Sequence, residues 1–210
     1  MKKILVGFFV LSAMSFANTL NSADKYLEAR VGWDINAEYD SVDYDGRGFL
    51  KDNAKSDGFE FALERMMKYA NNWDFGVGVA YQDHADRKTL NVDNYSISGG
   101  EYDSIPVYLV AKYNFNLNYD YIPYLKANLG YAFNFNADDV TEKEEGELAS
   151  VSVDDGMYFA IGGGLEYNDF TIDLMYGIIK SDMTLSGEVD GDYSGDHEKL
   201  TLSVGYKFDM

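Results

Sequence analysis

The chain contains no cysteine, which excludes disulfides, thiolate metal centres and cysteine nucleophiles. Rigidity must come from another source, and a closed hydrogen-bonded sheet supplies one. Proline is nearly absent too, with two in 210 residues. Past residue 17 no segment holds 18 consecutive apolar residues, so no helix spans a bilayer. Basic residues are scarce: 17 Lys and Arg stand against 36 Asp and Glu, a net charge of −19. A nucleic-acid partner is excluded, because neutralising phosphates takes clustered Lys and Arg. Such a surface suits divalent cations, basic partners or the solubility of exposed loops.

The start of the chain reads as an address. Lys2 and Lys3 precede a short apolar stretch over 4–14, and Ser15-Phe16-Ala17 places small residues at the −3 and −1 positions of a cleavage site. The apolar stretch is shorter than the roughly 20 residues a spanning helix needs. Residues 1–17 are therefore expected to be a cleaved secretory signal, and 18–210 one mature domain. Losing Lys2 and Lys3 makes the mature chain more acidic still.

What the chain has in quantity is aromatics, 18 Tyr and 13 Phe, and strict alternation, the period-2 signature of a strand with two unlike faces. Leu27, Ala29, Val31, Trp33, Ile35, Ala37 and Tyr39 alternate with Glu28, Arg30, Gly32, Asp34, Asn36 and Glu38. Phe59, Phe61, Leu63, Met67 and Tyr69 oppose Glu60, Ala62, Glu64 and Lys68; Trp73, Phe75, Val77, Val79 and Tyr81 oppose Asp74, Gly76, Gly78, Ala80 and Gln82. Ile105, Val107, Leu109, Ala111, Tyr113 and Phe115 oppose Tyr108, Lys112 and Asn114. Similar runs begin at Leu125, Phe159, Phe170 and Leu200, which makes eight strands.

Connections alternate in length. Short turns fall at 70–72, 116–121 and 168–169, and long polar segments at 40–56, 83–103, 136–155 and 181–196. In an up-and-down barrel this trims one end and puts the loops at the other, the pattern of short periplasmic turns and long extracellular loops. Alternation alone leaves open whether the apolar face meets lipid or, as in a soluble barrel, a core. Three features favour lipid. Most runs reach ten or more residues, enough to cross a bilayer at a tilt of about 45°. The polar face mixes charges with Gly32, Gly76, Gly78, Gly130, Gly162, Gly164 and Gly205, as a narrow lumen requires. Aromatics gather at both ends of the apolar face: Tyr69, Trp73, Tyr113, Phe115, Tyr167, Phe170, Tyr206 and Phe208 at the turn end, and Tyr39, Phe59, Tyr81, Phe133, Phe135 and Phe159 at the loop end. These form two interfacial girdles. The expected fold is all-β, an eight-stranded antiparallel up-and-down transmembrane β-barrel. Arg65 falls on the lipid face, where it either snorkels to the headgroups or is accommodated by a bulge at Met66.

Several of these segments are similar to the small outer-membrane β-barrel proteins of the OmpA-like, OmpX-like and Opa-like group. Ile105-Pro106-Val107-Tyr108 leading to Lys112-Tyr113-Asn114-Phe115 resembles that group's fourth strand. Pro123-Tyr124-Leu125 with Gly130-Tyr131, and Gly162-Gly163-Gly164-Leu165-Glu166-Tyr167, resemble its fifth and sixth. Val204-Gly205-Tyr206-Lys207-Phe208 looks like the group's C-terminal aromatic assembly signal, carried by Tyr206 and Phe208, although Asp209 and Met210 follow it here. The resemblance implies the bacterial outer membrane, with lipid, lipopolysaccharide and the barrel-assembly machinery as partners. It leaves activity open, because the group includes membrane-stabilising proteins, adhesins, narrow pores and a few lipid-modifying enzymes.

Four groups of residues carry candidate chemistry. Glu28, Arg30, Glu64, Lys68, Asp74, Lys112, Lys126, Glu166, Asp173 and Lys207 lie on the lumen face in the turn-proximal half, five acidic and five basic. Eight strands leave an interior only wide enough for side chains, so an ion-pair network closing the barrel is expected; a narrow ion pathway is the alternative. The long segments are acidic, with eight Asp and Glu over 136–155, and are expected to be solvated, mobile loops; the sharper alternative is that they gather divalent cations or meet a basic host or bacterial surface. Within the last of them Asp190-Gly191-Asp192-Tyr193-Ser194-Gly195 matches the opening of a calcium loop, with Asp190, Asp192 and Ser194 as oxygen ligands. Thr201 stands where the bidentate Glu belongs. His84 and His197 fall at loop edges without a patterned serine partner and read as exposed. The expectation is a non-enzymatic protein without a cofactor, displaying acidic loops in a structural or adhesin-like role. A porin-like channel is the runner-up, and a lipid-A-modifying enzyme stands third.

Overall fold

The computed structural model describes residues 25–210 except 45–46, 51–53, 55–57, 93–94, 118, 143–145 and 188–189; the proposed signal lies outside the described residues. In chain order the strands are β1 (Lys25–Tyr39), β2 (Val42–Tyr44), β3 (Arg47–Leu50), β4 (Phe59–Lys68), β5 (Trp73–Asp83), β6 (Leu90–Val92), β7 (Tyr95–Ser98) and β8 (Asp103–Asn114). There follow β9 (Tyr121–Phe135), β10 (Val140–Glu142), β11 (Gly146–Val153), β12 (Gly156–Tyr167), β13 (Phe170–Lys180), β14 (Asp182–Gly187), β15 (Gly191–Ser194) and β16 (His197–Asp209). Strands β1, β4, β5, β8, β9, β12, β13 and β16 are the eight alternating runs. They pair antiparallel in that order and close through β1 and β16.

The apolar faces point outwards. Leu129, Ile161 and Val204 are 50%, 64% and 49% exposed, while Glu64, Lys112 and Ser104 are completely buried in the lumen. A soluble barrel would reverse this. Water cannot be the partner of so continuous an apolar wall, and a closed sheet leaves no backbone group unpaired in hydrocarbon. Both girdles are present. At the turn end Trp73 packs on Tyr113 and Tyr206 on Phe208, at 5.0 and 4.8 Å. The tightest turn joins Tyr167 to Phe170, and Asn168 takes a left-handed φ of 52° there. Lumen glycines answer to bulk: Tyr108 is flanked in register by Gly78 and Gly130. A Cβ on Gly78 would sit 2.4 Å from the Tyr108 ring, and one on Gly130 2.1 Å from the Val107 carbonyl.

The structure corrects the alternation at two points. In β1, Ile35 is an extra residue between the pairs Asp34–Thr201 and Asn36–Leu200. This bulge at the barrel rim exchanges the faces beyond it, so Ala37 and Tyr39 turn inwards and are buried. Tyr39 therefore leaves the outer girdle. In β4 the pairing with β1 and β5 runs without interruption through Arg65 and Met66. There is no bulge, and Arg65 stays on the outward face beside Leu27 and Val77.

The long segments are not plain loops. Strands β15, β14, β11, β10, β7 and β6 form a second, six-stranded sheet that prolongs the barrel wall, and β2 pairs with β3. A single residue, Ser181, separates β13 from β14, and Asp154 N–H donates to the Asp182 carbonyl at 2.8 Å across the junction. One face of this sheet is dry: Leu50, Val140, Ala149, Val151, Met183 and Leu185 form a buried cluster. Burying side chains of the size of Met183 and Leu185 stabilises by about 1.5–3 kcal/mol each. The opposite face presents Ser150, Ser152, Asp182, Thr184, Ser186 and Asp192 to solvent.

The outward wall sets a direct test. Leu129→Arg places a cation against mid-bilayer lipid and is expected to cost about 2–4 kcal/mol, measured by equilibrium refolding into vesicles. Ser152→Arg, on the exposed face of the upper sheet, is expected to change stability by less than about 0.5 kcal/mol.

Candidate functional site

The lumen is filled by side chains that reach across it. Arg30 of β1 contacts Glu64 of β4 at 2.8 Å, Asp173 of β13 at 3.0 Å and Glu60 of β4 at 3.7 Å. Lys126 of β9 meets Glu64 at 2.5 Å; in the barrel order these strands stand three apart, so the pair crosses the bore. Nearer the turns Lys112 of β8 and Lys207 of β16 clamp Glu166 of β12 at 2.8 and 2.5 Å. Tyrosines complete the lattice. Tyr108 donates to Glu64 at 3.0 Å, Tyr124 to Asp173, and Tyr26 to Asp74 at 2.9 Å. Lys112 also lies over the Tyr124 ring and Lys207 over the Tyr26 ring, at 4.0 and 4.2 Å.

Of the ten lumen residues singled out from sequence, Glu28, Arg30, Glu64, Asp74, Lys112, Lys126, Glu166, Asp173 and Lys207 are buried together in this lattice. Glu28 accepts from Thr171 at 3.0 Å and lies 4.0 Å from Lys126. Lys68 is the exception. It is the last residue of β4 and is exposed at the turn end, one step beyond the depth at which the lumen closes. A second tier was not anticipated. Lys199 sits 3.3 Å from Asp34 and 3.8 Å from Glu60, and Thr201 donates to Asp34 at 2.7 Å. These residues lie on the same faces of β1, β4 and β16, two residues or more above the turn-proximal set, and extending the alternation upwards would have found them.

The mouth above this tier is roofed by rings. His84 and His197 are 4% and 1% exposed, not loop residues in water, and their rings lie 4.0 Å apart. Tyr39 packs on His197 at 4.5 Å and Tyr102 on His84 at 5.2 Å. Arg87 lies over Tyr39 at 4.2 Å and donates to the Asp40 and Gly100 carbonyls. His84 also has the serine partner that the linear sequence hides: its Nε2 lies 2.9 Å from Ser104 Oγ, because strand pairing sets Gln82 beside Ser104. Ser104 in turn donates to Gln82 Oε1 at 3.2 Å, and Gln82 Nε2 donates to Glu60 at 2.6 Å. Burial, helped by His197 and Lys199, holds the His84 imidazolium well below its ordinary range.

The segment proposed for calcium folds otherwise. Gly191–Ser194 is strand β15, paired with β14, and Asp192 accepts from Thr184 at 2.9 Å. An extended strand spaces Asp192 and Ser194 along one face and does not wrap an ion. Among the described residues no group of three ligating side chains is placed to hold a metal. The residues of the assembly signal, Tyr206 and Phe208, both face outwards at the turn end.

No protein-family model matches the chain. An uncharacterized protein of Pasteurella multocida strain Pm70 is 27% identical over 237 residues, covering 99% of this chain and 98% of its own length. Among solved structures, the outer membrane protein OprG from Pseudomonas aeruginosa superposes with a TM-score of 0.57 at 15% identity, over 90% of this chain and 97% of that one. The chain has the fold of the small eight-stranded outer-membrane β-barrel proteins. Neisserial surface protein A is also similar, with a TM-score of 0.47 and 16% identity over 90% of this chain and all of that one.

Two outcomes follow from the buried groups of this barrel. Glu64→Ala strips Arg30 and Lys126 of their shared carboxylate and is expected to destabilise by about 3–5 kcal/mol in urea unfolding, whereas Glu64→Leu with Lys126→Met recovers much of that loss. For His84 the folded state disfavours the proton that an unfolded imidazole takes up near pH 6.5. Its contribution is complete above about pH 6.5 and is lost as pH falls below that value towards the depressed one. Protease resistance of the upper sheet is expected to drop between pH 7 and 5 in the native protein, and by less in His84→Gln.

Proposed function

We propose that this protein is a non-enzymatic outer-membrane barrel, closed to bulk flow, that holds a folded extracellular sheet at the cell surface for an adhesin-like contact. The observation that carries the closure is the Lys126–Glu64 pair, which joins opposite walls at 2.5 Å and is locked by Arg30 and Tyr108. A chain of such contacts from Lys207 up to Lys199 leaves charges paired to one another instead of to water. A network of this kind resists permeation, since an ion would have to displace partners that are themselves costly to leave unpaired.

The surface role rests on the upper sheet. Its dry face makes it a folded layer, so its exposed face offers Ser150, Ser152, Thr184, Ser186 and Asp192 on a fixed backbone. Fixed polar groups bind with less ordering cost than a loop would. The non-enzymatic reading is supported by the direction of the Ser104 hydroxyl, which donates to Gln82 and leaves His84 as its donor. A histidine that donates to a serine is not its general base.

Planar-bilayer recording tests the reading. The native protein is expected to give no steady openings above the low-picosiemens range, and steady larger ones would support the channel instead. Cells displaying the native protein are expected to bind immobilised extracellular matrix. A variant lacking 182–194, with its barrel still folded by gel mobility before heating, is expected to lose that binding.

A further inference from the structure

Charge on the outward wall of the barrel is divided by depth. Acidic members such as Glu38 and Glu198, opposite one another in register, stand at the loop end. Among the described residues, the charged outward positions of the barrel strands in the turn-proximal half are Lys25 and Arg65, and both are basic. Neither position can turn inwards. Strands β1 and β4 pair without interruption from Lys25–Met67 to Trp33–Phe59. Lys25 and Arg65 therefore keep the parity of Leu27, Leu63 and Met67, while Tyr26, Glu64 and Met66 are buried in the lumen.

The register also makes neighbours of the two cations. Leu27 stands opposite Arg65, and Lys25 opposite Met67, so Lys25 and Arg65 occupy one diagonal of the cross-strand pairing. Residues on such a diagonal are about 7–8 Å apart, within reach of long side chains. Arg65 lies four residues above Tyr69, about 13 Å of strand and, at a tilt of about 45°, roughly 9 Å of depth. Lys25, level with Met67, lies half as deep. Long aliphatic stems let both side chains carry their charge towards the girdle of Tyr69 and Phe208, where headgroups lie.

Two cations converging at that depth call for a phosphate. The Arg fork matches phosphate oxygens two at a time, and the Lys ammonium adds a point charge. The rest of the headgroup decides between phospholipids. An ethanolamine headgroup would bring a third cation against Lys25 and Arg65, whereas a glycerol headgroup brings neutral hydroxyls. Towards the bilayer centre the wall suits an acyl chain. Ala29, the smallest outward residue of β1, is paired with Leu63 on one side and Tyr206 on the other, which leaves a shallow trough leading from Leu27 towards Val31. We propose that Lys25 and Arg65 form a binding site for one anionic glycerophospholipid of the periplasmic leaflet, its phosphate shared by the two cations and one acyl chain lying over Ala29. The site uses the outer wall alone and is independent of whether the lumen conducts or the upper sheet makes an adhesin-like contact.

Native mass spectrometry of the detergent-folded full chain, titrated with dioleoyl phosphatidylglycerol, tests it. One lipid is expected to bind ahead of the rest, about fivefold tighter than phosphatidylethanolamine with the same chains. Arg65→Leu removes a cation from the lipid face and so does not endanger folding. Arg65→Leu and Lys25→Gln are each expected to weaken phosphatidylglycerol binding roughly fivefold and to bring the two lipids level. Lys180→Gln makes the same change of charge at the loop end and is expected to leave the preference unchanged. Glycerol 3-phosphate, which has the headgroup chemistry without the chains, is expected not to displace the lipid. Equal affinity for the two lipids, a preference that survives both substitutions, an equal loss from Lys180→Gln, or displacement by glycerol 3-phosphate at the concentration of the lipid would each overturn the proposal. Unchanged gel mobility before heating shows that the variants remain folded.

Discussion

Glu64 is a carboxylate that no water reaches, inside a tube wrapped in hydrocarbon, and its needs constrain much else. An ionised group there costs several kcal/mol unless cations and donors surround it. Arg30, Lys126 and Tyr108 do so from β1, β9 and β8. Their convergence holds only in one register. Sliding β4 by one residue would turn Glu64 to the lipid and bring Leu63 or Arg65 into the lumen, because the side-chain period of a strand is two. The lumen therefore selects the pairing, and the pairing decides what the membrane meets. Arg65 belongs to this bargain: the register that buries Glu64 leaves its neighbour facing outwards.

Much of this was legible from residues. Period-2 runs such as Trp73 to Gln82 need no tertiary knowledge to read, and their polar members identified nine of the buried lumen residues. What alternation does not carry is an insertion. Thirteen unbroken alternating residues end at Tyr39, yet the bulge at Ile35 exchanges the faces after Asp34. A bulge preserves composition and breaks only pairing, so the pattern looks intact while Ala37 and Tyr39 change sides. Depth is equally silent. Lys68 has the lumen parity but stands past the end of the seal, where water is available.

The upper sheet escaped notice for a different reason. Counting carboxylates over 136–155 and 181–196 suggested solvated loops, although Val151 and Val153 alternate with Ser150 and Ser152, and Met183 and Leu185 with Asp182, Thr184 and Ser186. The alternation is present but short, and its polar half is Ser, Thr and Asp, residues equally common in turns. These strands have no partner nearby in sequence except across their own hairpins; β11 pairs with β14 and β7 with β10 only because the barrel below has already set those hairpins side by side. The same proximity joins His84, Ser104 and His197, drawn from the residue after β5, from β8 and from β16. No spacing rule links them.

Lumen and mouth are electrostatically unlike yet physically continuous. Below, carboxylates are met by Arg30, Lys112, Lys126, Lys199 and Lys207; above, a cavity at the junction of barrel and upper sheet has carboxylates and no lining lysine or arginine. What connects them is the orientation of hydrogen bonds. Arg30 and Lys199 keep Glu60 an acceptor, Glu60 orients the Gln82 amide, the amide takes the Ser104 proton, and Ser104 leaves His84 with its lone pair at Nδ1. Each link has one sensible direction because a carboxylate cannot donate. Charge pairing that seals the barrel thus also sets which nitrogen of the His84 imidazole carries its proton, and a change at Arg30 or Lys199 would be felt there through the chain of hydrogen bonds.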